Sequence, residues 1–89
     1  MTSAILKGED IQLTLSKSEA LVLFEWLSRN WEKMHWEDDK LFVDPAEKQL
    51  MIWLEGDVSR LLTEPFDSKY REILSKAYRD LVPVPEEWT

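Results

Sequence analysis

The chain has 89 residues, 44% of them hydrophobic, with five tryptophans, one histidine, two glycines and no cysteine. That length supports one domain spanning 1–89, burying about two-thirds of its unfolded surface, and the apolar content excludes a disordered chain. Eighteen acidic against 11 basic residues give a net charge of −7, which disfavours nucleic acid and anionic membranes as partners and favours a basic protein. The plainer reading is that the charge only keeps a small protein soluble.

Residues 1–9 read as a loose N-terminal arm broken by Gly8. The apolar run before Lys7 is too short for a signal-peptide core, and the longest uncharged apolar run, Ala20–Phe24, is far below membrane-span length. A soluble, cytoplasmic chain is expected. Ile11, Leu13 and Leu15 alternate with Gln12 and Thr14, the period of a short strand. Ser16 followed three residues later by Glu19 is a capping-box signature and opens the first helix. That helix is expected from about Lys17 to the Trp31–His35 region, with Ala20, Leu23, Phe24, Leu27, Trp31 and Met34 on one face. Glu25 and Arg29 lie opposite, in the favourable i,i+4 order. Val22 and Trp26 share a ridge outside the main stripe.

His35–Lys40 reads as an acidic loop. Leu41–Val43 follows, either as a short strand paired with Ile11–Leu15, the preferred reading, or as an apolar lead-in to the second helix. The second helix is the best defined in the sequence. Asp44 caps it, Pro45 suits its first position, and Glu47 can reach back to the cap's own N–H. Leu50, Leu54, Val58 and Leu61 recur behind these at helical spacing, widened by Met51 and Leu62. After Thr63-Glu64-Pro65, Asp67 is the expected cap of a third helix, whose apolar face is Tyr70, Ile73, Leu74, Ala77 and Leu81. Pro83 and Pro85 make 83–89 an extended tail. The fold expected is mainly α: a three-helix antiparallel bundle with a short two-stranded element formed by Ile11–Leu15 and Leu41–Val43.

Enzymatic constellations are sparse. One histidine and no cysteine exclude Cys–His nucleophile pairs and multi-histidine metal sites, and two isolated glycines cannot form a phosphate-cradling loop. We therefore expect no catalytic residues, no metal and no cofactor. His35 with Glu37, Asp38 and Asp39 is the one metal-like cluster, but calcium loops need alternating ligands and a glycine. It reads as a solvated acidic loop, or as a docking patch for a basic partner. Glu47 falls on the apolar line of the second helix, as a cap residue or as half of a buried pair with Arg71 or Arg79. Gly56 marks either a close helix approach or a tolerated surface glycine. Two apolar pairs, Val22/Trp26 and Ile52/Trp53, project away from the expected core, as interface residues do. The competing reading is that another segment covers them. With Glu37, Asp38 and Asp39 they are the candidate protein-binding residues.

The segments Leu15-Ser16 … Glu19-Ala20-Leu21-Val22-Leu23-Phe24-Glu25-Trp26-Leu27, Glu47 … Leu50 … Trp53-Leu54-Glu55 and Glu64-Pro65-Phe66 … Tyr70 … Leu74 … Ala77 … Arg79 together resemble a group of small helical bacterial proteins of unassigned function. The likeness covers most of the chain from Leu13 to Arg79 and implies no catalytic residue or cofactor. In size and acidity the chain is also similar to helical immunity proteins that neutralise bacterial nuclease toxins, a likeness of class that assigns no residue. The function expected is a small acidic protein that binds another protein, in its most concrete form an immunity- or antitoxin-like inhibitor of a basic toxin. The alternative is a homo-oligomeric structural protein whose exposed pairs meet across a two-fold axis.

Overall fold

The structure, a computed structural model, describes residues 2–31 and 41–82. Its described elements are mainly helical. Strands β1 (Ser3–Lys7) and β2 (Asp10–Thr14) precede helices α1 (Lys17–Arg29), α2 (Pro45–Leu61) and α3 (Tyr70–Leu81), with a 3₁₀ turn at Glu64–Phe66.

The residues expected to form a loose arm are half of an antiparallel hairpin. β1 pairs with β2 in the register Ser3–Thr14, Ala4–Leu13, Ile5–Gln12, Leu6–Ile11 and Lys7–Asp10. Gly8 takes a positive φ of 65° between the strands and Glu9 does not, the pattern of a two-residue turn with glycine first. The strand at Ile11–Leu15 therefore finds its partner on its N-terminal side, and the expected pairing with Leu41–Val43 is not made. Loop closure explains the choice, because a two-residue connection costs less chain entropy than one spanning the whole of α1. Leu41–Val43 is instead the lead-in to α2: Val43 donates its backbone N–H to Glu47 Oε1 at 2.8 Å.

α1 begins as the sequence dictates. Ser16 Oγ accepts from the Glu19 N–H at 3.1 Å and Glu19 Oε1 accepts from the Ser16 N–H at 2.7 Å, so both halves of the capping box form. The helix stops at Asn30, earlier than its apolar periodicity suggests. At this cap the Asn30 backbone N–H and side-chain amide both donate to the Trp26 carbonyl, at 3.1 and 2.8 Å. Trp31, expected on the core face of this helix, consequently lies beyond the cap and is partly exposed.

α1 is the hub of the described core. Leu21 joins Val58, Leu62 and Ala77 in the buried cluster, with Ala20, Val22, Leu23, Phe24, Leu54, Tyr70 and Ile73 packed around it. Leu27 is fully buried on the same helix. α2 and α3 each pack on α1 rather than chiefly on each other. Three links fix the ends: Lys17 Nζ lies 3.2 Å from Glu64 Oε2, Ser18 Oγ donates to Asp80 Oδ2 at 2.8 Å, and Tyr70 Oη donates to Glu25 Oε2 at 2.9 Å. The start of α1 thus meets both the turn that follows α2 and the end of α3, while its later half meets the start of α3. Glu25 faces α3 in this arrangement, although the sequence order set it beside Arg29.

α3 starts three residues after its expected cap. Asp67 Oδ1 accepts from the Lys69 N–H at 2.8 Å, closing a turn that delivers the chain into the helix at Tyr70. The expected face then lies inward: Ala77 is buried and Tyr70, Ile73 and Leu74 are half-buried, with Leu81 at the margin.

Two substitutions test these local arguments in opposite directions. Ser16→Ala removes the cap of the hub helix and should lower unfolding stability by about 0.5–2 kcal/mol. Gly56 has nothing within 4 Å of where a Cβ would sit, so neither a close approach nor a kink requires it. Gly56→Ala should raise stability by about 0.5–1 kcal/mol through helix propensity. Urea unfolding curves of the two variants read both signs.

Candidate interaction surface

The rotation of α2 about its axis decides what the surface offers. At about 100° per residue, Met51, Leu54, Val58 and Leu62 fall along one arc, and these are buried or half-buried. Leu50 and Leu61, expected in the core, lie on the outer edge of that arc and reach solvent, Leu61 at 80% exposure. The reason is that α2 packs chiefly on one neighbour, α1, and one neighbour covers only a narrow stripe. Trp53 projects from the same outer side at 64% exposure. Leu50, Trp53 and Leu61 therefore reach solvent from one side of α2, with Asp57, which pairs with Arg60, between Trp53 and Leu61.

The candidate pairs are divided by the structure. Val22 is half-buried and packs against the core cluster, whereas Trp26, four residues on, is 42% exposed. Ile52 is half-buried, leaving Trp53 as the exposed member of its pair. Each pair thus contributes one tryptophan to the surface, and α2 adds two leucines that periodicity had assigned to the core. A rotation of this size was not readable from α2 alone, because Leu50 and Leu61 sit within one residue's turn of the buried arc. Glu37, Asp38 and Asp39 lie outside the described residues, as do His35 and the tail at 83–89. Glu47 is exposed and serves Val43, so the alternative of a buried pair with Arg71 or Arg79 does not form. Those two arginines line a shallow cleft on α3 with Glu72 and Ser75.

Electrostatics concentrate where the helices meet. The Ser16 backbone N–H holds the Glu19 carboxyl below its usual range. Glu64 is lowered by its own backbone N–H and then by Lys17. Asp80 is lowered by the Ser18 hydroxyl and then by Lys76, whose Nζ lies 3.4 Å away. Burial, reinforced by the Glu25 carboxylate, pushes the Tyr70 phenol well above the usual range. These groups are tied to packing and capping. Among the described residues no group of three or more histidines and carboxylates is placed to hold a metal ion, and no helix is long and apolar enough to cross a membrane.

Comparison of the chain with protein-family models, with curated proteins and with solved structures finds no match.

The pH dependence of folding follows from the shifts. Glu19, Glu64 and Asp80 bind protons more weakly when folded, so their contribution is complete above the ordinary carboxylate values of 4.5 and 3.8 and drains as pH falls through the lowered folded values. Tyr70 binds its proton more tightly when folded, so its contribution is complete below the ordinary value of 10.0 and drains as pH rises above it. Urea midpoints should be flat between these limits and fall on both sides. Tyr70→Phe, which has no phenolic proton, should make the alkaline limb shallower and leave the acid limb unchanged.

Proposed function

We propose that the chain is a small acidic protein that binds another protein, and that its outer α2 face is the contact. The observation that carries this reading is the exposure of Leu50, Trp53 and Leu61 from one side of a helix whose other side already meets its core requirement. Large apolar side chains gathered on one exposed helix face are what hot spots are built from, and tryptophan supplies contact area at low entropic cost. The net charge of −7 supports a basic partner, drawn in by long-range attraction before the tryptophan docks. Trp26 and the carboxylates Glu37, Asp38 and Asp39 extend the proposed contact, the latter as the steering group.

In its most concrete form the reading is an immunity- or antitoxin-like inhibitor that masks a basic toxin in the bacterial cytoplasm. The composition supports it, with a single histidine, no cysteine and hence no nucleophile–base pair of the Cys–His kind. We assign it no catalysis and no cofactor. The finer architecture we infer is a bundle in which α2 and α3 each run antiparallel to α1. The Lys17–Glu64, Ser18–Asp80 and Tyr70–Glu25 links support that arrangement.

Affinity capture from the native host at low salt, with the unmutated chain and Trp53→Ala in parallel, tests the reading. A stoichiometric basic protein should be retained by the unmutated chain, released by added salt, and held about 2 kcal/mol or more weakly by the variant. Recovery of no stoichiometric partner, or equal retention by Trp53→Ala, would overturn it.

A further inference from the structure

The hairpin raises a separate question, because every one of its ten strand residues is exposed. A two-stranded hairpin is marginal in water unless a third strand or a helix supports it, and neither strand packs substantially on α1, α2 or α3. The register sets Ala4 against Leu13 and Leu6 against Ile11, and these four project to one side of the hairpin. That side is wholly apolar, with Leu6 74% and Ile11 72% exposed. In a hairpin with a two-residue loop, the pair flanking the loop exchanges both backbone bonds and the bonded pairs then alternate. Lys7–Asp10, Ile5–Gln12 and Ser3–Thr14 are thus bonded within the hairpin. The N–H and C=O groups of Ala4 and Leu6 point outward along the other edge of β1, which no strand among the described residues pairs.

Free edges of this kind are usually guarded by an interior charge, a proline or a bulge. β1 has none of these between Ser3 and Lys7: its interior is Ala4-Ile5-Leu6. Its own sequence also fits itself. Run antiparallel about a two-fold axis through Ile5, Ala4 of one copy faces Leu6 of the other, with their outward backbone groups in register. Ile5 meets Ile5, Ser3 meets Lys7, and no like charges are opposed. Lys7 against Glu9 and Asp10 leaves the hairpin with a net charge of only −1 out of the chain's −7, so self-repulsion there is small.

We infer that β1 is a self-association edge at which two copies of the chain join into one four-stranded antiparallel sheet, ordered β2–β1–β1–β2. One face of that sheet carries two rows of four apolar residues, each row running Leu13, Ala4, Leu6 and Ile11 across the two copies. Three or more strands with an apolar face is the arrangement that makes a small sheet stable. The edge is independent of the basic-partner surface on α2, and a dimer formed through it presents two copies of that surface.

Sedimentation equilibrium over a dilution series up to millimolar chain tests the edge, using purified protein with no partner present. The unmutated chain should dimerise. Ile5→Lys and Ile5→Glu each place like charges opposite one another at the axis and should each weaken dimerisation about tenfold or more. An equimolar mixture of these two variants should recover a dimer. Ala4→Pro removes an outward N–H without touching the bonds inside the hairpin, and should weaken dimerisation as well. Helical circular dichroism should be unchanged in all three, because the hairpin stands apart from the helical core. A chain that stays monomeric at millimolar concentration overturns the inference. So does dimerisation by Ile5→Lys at unmutated strength, or failure of the mixture to recover a dimer.

Discussion

The first turn of α1 is the constraint on which the rest of the structure depends. Four consecutive residues there each satisfy a different demand. Ser16 and Glu19 close the capping box, Lys17 reaches Glu64 after α2, and Ser18 reaches Asp80 near the end of α3. The exposed Lys17–Glu64 pair contributes little energy on its own. Its effect is geometric, because it meets a helix end that the capping box already holds and whose direction is therefore set. Leu21, one turn further in, then delivers the apolar surface on which Val58, Leu62 and Ala77 close. If the cap were lost, the Lys17 and Ser18 contacts would both hang from a fraying end.

This arrangement differs from the one that sequence prominence suggests. α2 has the strongest local signals in the chain and α1 has plainer ones, yet α1 is the hub. Caps and propensity govern whether a helix starts, while burial on several sides governs whether others are built around it. α1 has apolar residues over much of its circumference, from Ala20 through Phe24 to Leu27, and so accepts two helices. α2 has a single arc that one neighbour suffices to cover.

Local chemistry was legible in the sequence wherever its partners lie within a few residues. The Ser16–Glu19 box, the Asp44 cap with Pro45 behind it, and the inward face of α3 all follow from side chains meeting backbone or neighbours one turn away. Glu47 shows the limit even there. It reaches back as expected, but to Val43 rather than Asp44, whose side chain accepts from Ala46 instead. The β2 strand was legible in the alternation of Ile11, Gln12, Leu13 and Thr14, whereas Ala4-Ile5-Leu6 does not alternate and its strand became visible only through its partner. The rotation of α2 was not legible. Whether Leu50 and Leu61 are buried depends on how many helices surround α2, and no local pattern encodes that number. The candidate surface inherits this split: Trp26 and Trp53 were identifiable by their offset from the stripes, whereas the leucines beside Trp53 were not.

The hairpin and α2 expose apolar residues for different physical reasons, and the difference bears on what each can bind. On α2 the backbone is satisfied internally, so only side chains are on offer, and a partner must fit the shape of Leu50, Trp53 and Leu61. On β1 no strand among the described residues pairs the outer edge, so what that edge offers is backbone, and alternation decides which strand fits it best. Charge does not separate the two, because the hairpin and α2 each carry a net charge of only −1 out of the chain's −7. The two proposed surfaces differ instead in what they ask of a partner, side-chain shape on α2 and a strand on β1.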